Sequence, residues 1–260
     1  MKKLVAVLLL LWMTIPSKAQ NLDLYAKLVF KAQDGTELPY RVLLPAGYDK
    51  SRKYPLVLFL HGAGERGDDN EKQLVHGSKL FVTEENRKQY PAIVVFPQCP
   101  ENGFWSSVQV DRMKKPAEFR FDYSQKETSS MTAVVELLGK LIKNEAVDGR
   151  RVYVTGLSMG GMGTFEMVYR HPEFFAAAMP ICGGGDVVSY DKRVKKIPFW
   201  VFHGDADPVV NVKLSRDMVA KLREIRAKVK YSEYPGALHN SWENAFAEKE
   251  FLSWMFRQRK

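Results

Sequence analysis

Gly156-Leu157-Ser158-Met159-Gly160 is the stretch of this 260-residue chain whose spacing speaks most directly of chemistry. A serine hydroxyl becomes a good nucleophile only when a base takes its proton. The glycines two before and two after it are what a sharp strand-to-helix turn requires, because side chains there would collide with neighbouring backbone. Arg151–Thr155 (RVYVT) reads as the strand entering that turn, and a helix follows, with Gly161 and Gly163 allowing it to approach closely. The positive end of the helix dipole then faces Ser158.

The chain order serine, acid, histidine is the order in which such a turn recruits its partners. Of the five histidines, His61 and His76 precede Ser158. His171 closes a helix before Pro172, and His203 comes before any acid in its own loop. Only His239, in the loop Pro235–Asn240, follows the candidate acids Asp205 and Asp207. The acid's task is to hold the imidazole in one tautomer and to stabilise the imidazolium; spacing does not choose between the two aspartates. A developing oxyanion needs two backbone N–H donors. One falls to Met159, the residue after the serine, and the other to Ala63 or Gly64 in His61-Gly62-Ala63-Gly64-Glu65.

These residues stand where short apolar runs stop. Pro55–Leu60, Ala92–Phe96, Arg151–Thr155, Ala176–Ile181 and Pro198–Phe202 are continuously apolar, as strands buried on both faces are, and Lys228–Tyr234 alternates. Helical patterns over Ala133–Leu141, Thr164–Arg170, Leu214–Arg226 and Trp242–Arg257 separate several of them. The expected fold is therefore α/β: a mostly parallel, doubly wound sheet. Tyr25–Ala32 and Leu38–Leu44, joined at Asp34-Gly35, add an N-terminal antiparallel hairpin. Ligands of such sheets bind outside the carboxyl ends of the strands. No repeat or linker divides the chain, so residues 20–260 are expected to form one domain.

Lys2 and Lys3, the apolar stretch Leu4–Met13 and the small residues around Ala19 read as a signal peptide spanning residues 1–19. The apolar stretch is too short to span a bilayer comfortably. No cysteine stands near the cleavage point to carry a lipid, so the expected location is the periplasm or the exterior, without stable membrane insertion. The net charge of +9 is scattered rather than gathered in a stripe, which argues against a nucleic-acid partner. Two cysteines, Cys99 and Cys182, make neither a disulfide scaffold nor a zinc site.

Taken together, L-H-G-A-G at Leu60–Gly64, G-L-S-M-G-G at Gly156–Gly161, H-G-D-A-D-P-V-V at His203–Val210 and G-A-L-H-N-S-W at Gly236–Trp242 resemble the α/β-hydrolases. The likeness is to the group of dienelactone hydrolases, phospholipase/carboxylesterases and feruloyl-type polysaccharide esterases, some members of which are labelled predicted peptidases. The resemblance implies the acid to be Asp207 and the second oxyanion donor to be Ala63, with neither metal nor organic cofactor. It implies a strand order that puts Cys99 and Cys182 three strand spacings of about 4.8 Å apart, beyond the roughly 7 Å reach of a disulfide.

Gly185–Ile197 leaves room for no large lid. An open site suits bulky substrates, acyl or hydroxycinnamoyl esters of polysaccharides among them, cleaved through an acyl-enzyme. Peptide bonds, phospholipids and acyl-thioesters are alternatives for the same residues, and a non-catalytic binding module is the alternative outside enzymes. Phe104, Trp105 and Met113 in the long Cys99–Thr128 connection stand where they would either rim the substrate pocket or pin the loop, and Trp242 beside His239 poses the same choice. Trp105 and Trp242 are the expected substrate contacts. Oligomeric state is not legible.

Overall fold

The computed structural model describes residues 22–114, 116–144 and 146–260; the expected signal peptide, residues 1–19, lies outside them. The apolar runs become the strands of one eight-stranded sheet. In chain order these are β1 (Ala26–Lys31), β2 (Glu37–Leu43), β3 (Tyr54–Leu60), β4 (Ile93–Pro97), β7 (Val147–Leu157), β8 (Ala177–Ile181), β9 (Phe199–Gly204) and β10 (Val229–Tyr234). A separate two-stranded hairpin, β5 (Val108–Asp111) with β6 (Glu118–Phe121), is built inside the Cys99–Thr128 connection.

The spatial order is β1-β2-β4-β3-β7-β8-β9-β10. From β4 to β10 every pairing is parallel, while β1 and β2 join antiparallel at one edge. This is an α/β-hydrolase sheet with an N-terminal hairpin. It also sets β4 and β8 three spacings apart, and Cys99 and Cys182 at their ends are buried and free.

Alternate residues of each central strand enter opposite cores, as the two-residue period dictates. Leu56, Leu58 and Leu60 of β3 pack with α3 (Ser129–Asn144), α4 (Met159–Arg170) and α5 (Lys213–Glu224), through side chains such as Leu137, Phe165 and Met218. Val57 and Phe59 face α1 (Lys79–Val82), α6 (Trp242–Ala247) and α7 (Phe251–Arg257), through Phe81, Ala245 and Phe251. Burial on both faces explains why these strands read as unbroken apolar runs. A further short helix, α2 (Glu84–Gln89), begins where Thr83 Oγ1 accepts the Asn86 N–H, an N-cap.

The single helix expected over Trp242–Arg257 is instead two. Glu248 leaves the helical conformation at φ −60°, ψ 119°, and its carboxylate accepts a hydrogen bond from the Tyr234 hydroxyl of β10 at 3.0 Å. Tertiary contacts of this kind can override the helix preference of a local sequence. The helix after Ser158 begins at Met159, five residues before the expected Thr164. Among the described residues, the connection from β8 to β9 holds only a one-turn 3-10 helix, Lys192–Val194, and inserts no lid there.

Candidate active site

Ser158 stands at the end of β7, the central strand, with φ 54° and ψ −116°, a conformation that non-glycine residues rarely adopt. The turn is locked on both sides: the Ser158 N–H donates to Ile181 O at 2.9 Å, and Ser158 O accepts from the Met162 N–H at 3.0 Å. A Cβ on Gly160 would run into the Leu60 carbonyl oxygen of β3, so only glycine lets the helix start this close to the neighbouring strand.

The three expected side chains come together here from the ends of β7, β9 and β10. His239 Nε2 lies 3.0 Å from Ser158 Oγ, and His239 Nδ1 lies 2.7 Å from Asp207 Oδ2. The geometry separates the two aspartates that spacing left open. Asp205 Oδ1 accepts the Gly236 N–H at 2.6 Å on the exposed side of the turn, away from His239. Asp207 is turned inward because its Oδ1 accepts the N–H groups of Val209 and Val210, at 2.8 and 3.0 Å. Burial alone would raise its carboxyl, but hydrogen bonds from His203, His239 and the Val210 N–H outweigh it and hold the group well below the ordinary aspartate range.

His203, set aside on chain order, is the partner that sequence reasoning missed. It is fully buried at the end of β9, with Nε2 3.2 Å from Asp207 Oδ2 and 2.9 Å from Val210 O. Both neighbours are acceptors, so Nε2 carries a hydrogen. The Ser215 hydroxyl of α5 lies 2.7 Å from Nδ1 and 2.9 Å from Gly183 O. The only signal in the sequence was its spacing, four residues before Asp207 at a strand end.

Ala63 and Met159, the expected oxyanion donors, are each the first residue of a helix: the one-turn 3-10 helix Ala63–Glu65 and α4. First-turn N–H groups have no acceptor inside their helix and are free to face a ligand. The peptide before Ala63 is fixed by His61, whose Nδ1 lies 2.6 Å from Gly62 O while its Nε2 accepts the Cys99 N–H at 2.9 Å. Burial pushes the His61 imidazole down to about 4, so it is neutral and its Nδ1–H donates. Carbonyl and N–H point opposite ways across a trans peptide; pinning Gly62 O therefore also fixes the direction of the Ala63 N–H.

Trp105 is not at the rim. It is wholly buried, its indole N–H donates to His61 O at 3.1 Å, and its ring packs edge-on against His61 at 5.2 Å. A Cβ on Gly163 of α4 would meet Trp105 Cβ at 2.5 Å, so the tryptophan lies directly against that helix. The next two residues are tied to buried Glu166 of α4, by Ser106 Oγ at 2.7 Å and the Ser107 N–H at 2.6 Å. The choice between rimming and pinning falls on pinning. Phe104 packs against the same core, while Met113 projects from the β5–β6 hairpin into solvent. Trp242 stays beside the site, its ring edge-on to His239 with centroids 5.5 Å apart.

Burial raises both thiols, Cys99 to about 11 and Cys182 further, which leaves them protonated. Among the described residues no group of three or more His, Cys, Asp or Glu side chains is arranged to hold a metal ion.

A parallel sheet carrying a serine elbow, with histidine and aspartate delivered by the last two strands, defines a serine hydrolase of the α/β-hydrolase class. The chain belongs to the phospholipase/carboxylesterase family, whose model matches residues 48–255. Acyl-protein thioesterase 1 of Neurospora crassa is 27% identical over 241 residues, covering 82% of this chain and 90% of the relative. A thermostable esterase of known structure is 39% identical with a TM-score of 0.81, over 92% of this chain and 64% of that one. A ferulic acid esterase from Anaeromyces mucronatus shares the fold at 18% identity, with a TM-score of 0.63 over 87% and 90% of the two chains.

Proposed function

We propose that the protein hydrolyses carboxylic esters by double displacement at Ser158. The observation that carries this reading is the unbroken relay from Ser158 Oγ to His239 at 3.0 Å and on to Asp207 at 2.7 Å. His239 Nε2 takes the hydroxyl proton as Oγ attacks the carbonyl carbon. The N–H groups of Ala63 and Met159 receive the oxyanion. The same proton then passes to the leaving oxygen, and water, activated by His239, releases the acid and restores the hydroxyl. Asp207 accepts from Nδ1–H, which keeps Nε2 unprotonated in the resting state and stabilises the imidazolium between the steps.

The lidless mouth supports bulky esters; acyl and hydroxycinnamoyl groups carried on polysaccharide are one such set. Thioesters fall within the same chemistry, and the relative named as a thioesterase supports including them. Action outside the cytoplasm is part of the proposal and rests on residues 1–19. N-terminal sequencing of the exported protein would find a start near residue 20.

Ser158→Ala is expected to lower kcat on p-nitrophenyl acetate by about 10⁴-fold or more. A folded Ser158→Ala protein with near-wild-type turnover would overturn the mechanism. Feruloyl, acetyl and butyryl esters, an acyl-thioester and a peptide anilide then rank the acyl and leaving groups.

A further inference from the structure

A cavity of about 420 Å³ adjoins the site and has no part in the Ser158–His239–Asp207 relay. Val75, His76 and Leu80 wall it on one side, Trp242 and Phe246 of α6 on the other. Ring contacts tie it to the reacting groups: Trp242 meets His239 at 5.5 Å and His76 at 4.9 Å. His76 Nε2 lies 3.7 Å from Glu65 Oε1, on the same one-turn helix as Ala63. Through Trp242 and His76, two of its lining residues, the cavity lies one side chain away from His239 and from the oxyanion loop.

Which half of an ester this flank meets follows from the proton. The proton that His239 takes from Ser158 must be handed to the leaving oxygen, so that oxygen comes within hydrogen-bond reach of Nε2. The group it carries then lies on the histidine side.

Val75, Leu80, Trp242 and Phe246 make most of the wall apolar, with the His76 imidazole beside Trp242. Thr83 Oγ1 and the Asn86 amide also line the cavity, but Thr83 accepts the Asn86 N–H at 3.2 Å and Asn86 Nδ2 donates to Leu80 O at 2.7 Å. The charged lining residues, Lys79 and Glu243, are exposed. Val75 is held 57% exposed at this surface. A sugar ring carries several hydroxyls that lose water on entry and need partners. A flat apolar group needs only the surface that Val75, Leu80, Trp242 and Phe246 supply.

We infer that this cavity is the leaving-group subsite and that it selects esters of flat, apolar alcohols over esters of sugar hydroxyls. The inference rests on the ester-hydrolase reading of Ser158 and narrows its alcohol side, away from the polysaccharide esters named there.

The test compares benzyl acetate with ethyl acetate, whose alcohols are similarly acidic, and with an O-acetylated pentose. Burying the ring should give the wild type a benzyl-over-ethyl preference of about tenfold or more in kcat/KM, mainly through KM. Trp242→Ala, and Val75→Asp at an exposed position that tolerates a charge, are each expected to reduce that preference to about threefold or less. Acetyl-over-butyryl selectivity should stay the same in both.

A benzyl preference unchanged in both folded variants overturns the subsite. So does a wild-type preference for the acetylated pentose, or a change confined to acyl selectivity. Retention of turnover by Ser158→Ala overturns instead the reading on which the subsite rests.

Discussion

Asp207 stands between two imidazoles that its surroundings treat differently. His239 reaches it from a loop, with a side chain 21% exposed and its other nitrogen on Ser158 Oγ. His203 reaches the same Oδ2 from inside the sheet, fully buried, its other nitrogen against Ser215 and its Nε2 shared with Val210 O. One ring has an open side from which it can exchange a proton with substrate. The other touches only protein and spans the two ends of the turn from Asp207 to Val210. Both rings touch the acid, but of the two only His239 also reaches the Ser158 hydroxyl, which is what the proposed base must do.

The largest effect is expected at the oxygen the two imidazoles share. Asp207→Asn keeps the side chain's size but removes the charge that orients His239, and kcat is expected to fall by about 10³–10⁴-fold. Steady-state kinetics that show less than tenfold loss would remove Asp207 from the relay. His203→Phe leaves His239 in place but lets the Asp207 turn drift, and a misplacement of about 1 Å costs on the order of 10²-fold. The loss should fall in kcat with KM nearly constant, and a double variant with Asp207→Asn should lose far less than the product of the two. Independent, multiplying losses would mean that His203 acts on turnover by a route other than Asp207.

A third imidazole, buried away from both, makes stability depend on pH. His61 is buried neutral, with its imidazole pushed down to about 4 against about 6.5 in the unfolded chain. Between those values the unfolded state binds more protons, so stability falls as pH drops from 6.5 toward 4, by about 3 kcal/mol from this group. Urea midpoints across that window should show the decline, and His61→Asn should show a shallower one. Asp207 acts in the same direction at lower pH, since its carboxyl is depressed by the fold and its contribution is lost as pH falls below the unfolded range. The smallest effect belongs to Asp205→Asn. Its Oδ1 contact with Gly236 survives the change, so activity should stay within about twofold of wild type.

The strands were legible because burial on both faces leaves an unbroken apolar signature, and the elbow because so few residues fit around Ser158. The aspartates were not separable by spacing, since what distinguishes them is the turn in which Asp207 Oδ1 accepts two N–H groups. Trp105 misled because an aromatic in a long connection has the same appearance whether it faces substrate or protein. Its partners, Glu166 through the adjacent serines and His61 through its carbonyl, come from α4 and from the end of β3. The β5–β6 hairpin was too short to announce itself, with four residues in each strand. The split between α6 and α7 coincides with a contact from the Tyr234 hydroxyl of β10, a partner that local sequence does not reveal.

Strand order also bears on what activity reports. Ser158 and His239 are 81 residues apart, and their meeting requires β7, β8, β9 and β10 to be docked side by side. β10 is the outermost of these, half-buried along its length, whereas β7 is at the centre of the sheet. Edge strands open at lower free energy than central ones. A molecule with β10 peeled away retains its elbow, its nucleophile and most of its core, yet has no base. On the proposed mechanism, hydrolysis is therefore a gauge of the last strand's attachment, and it goes silent while the rest of the sheet is still folded.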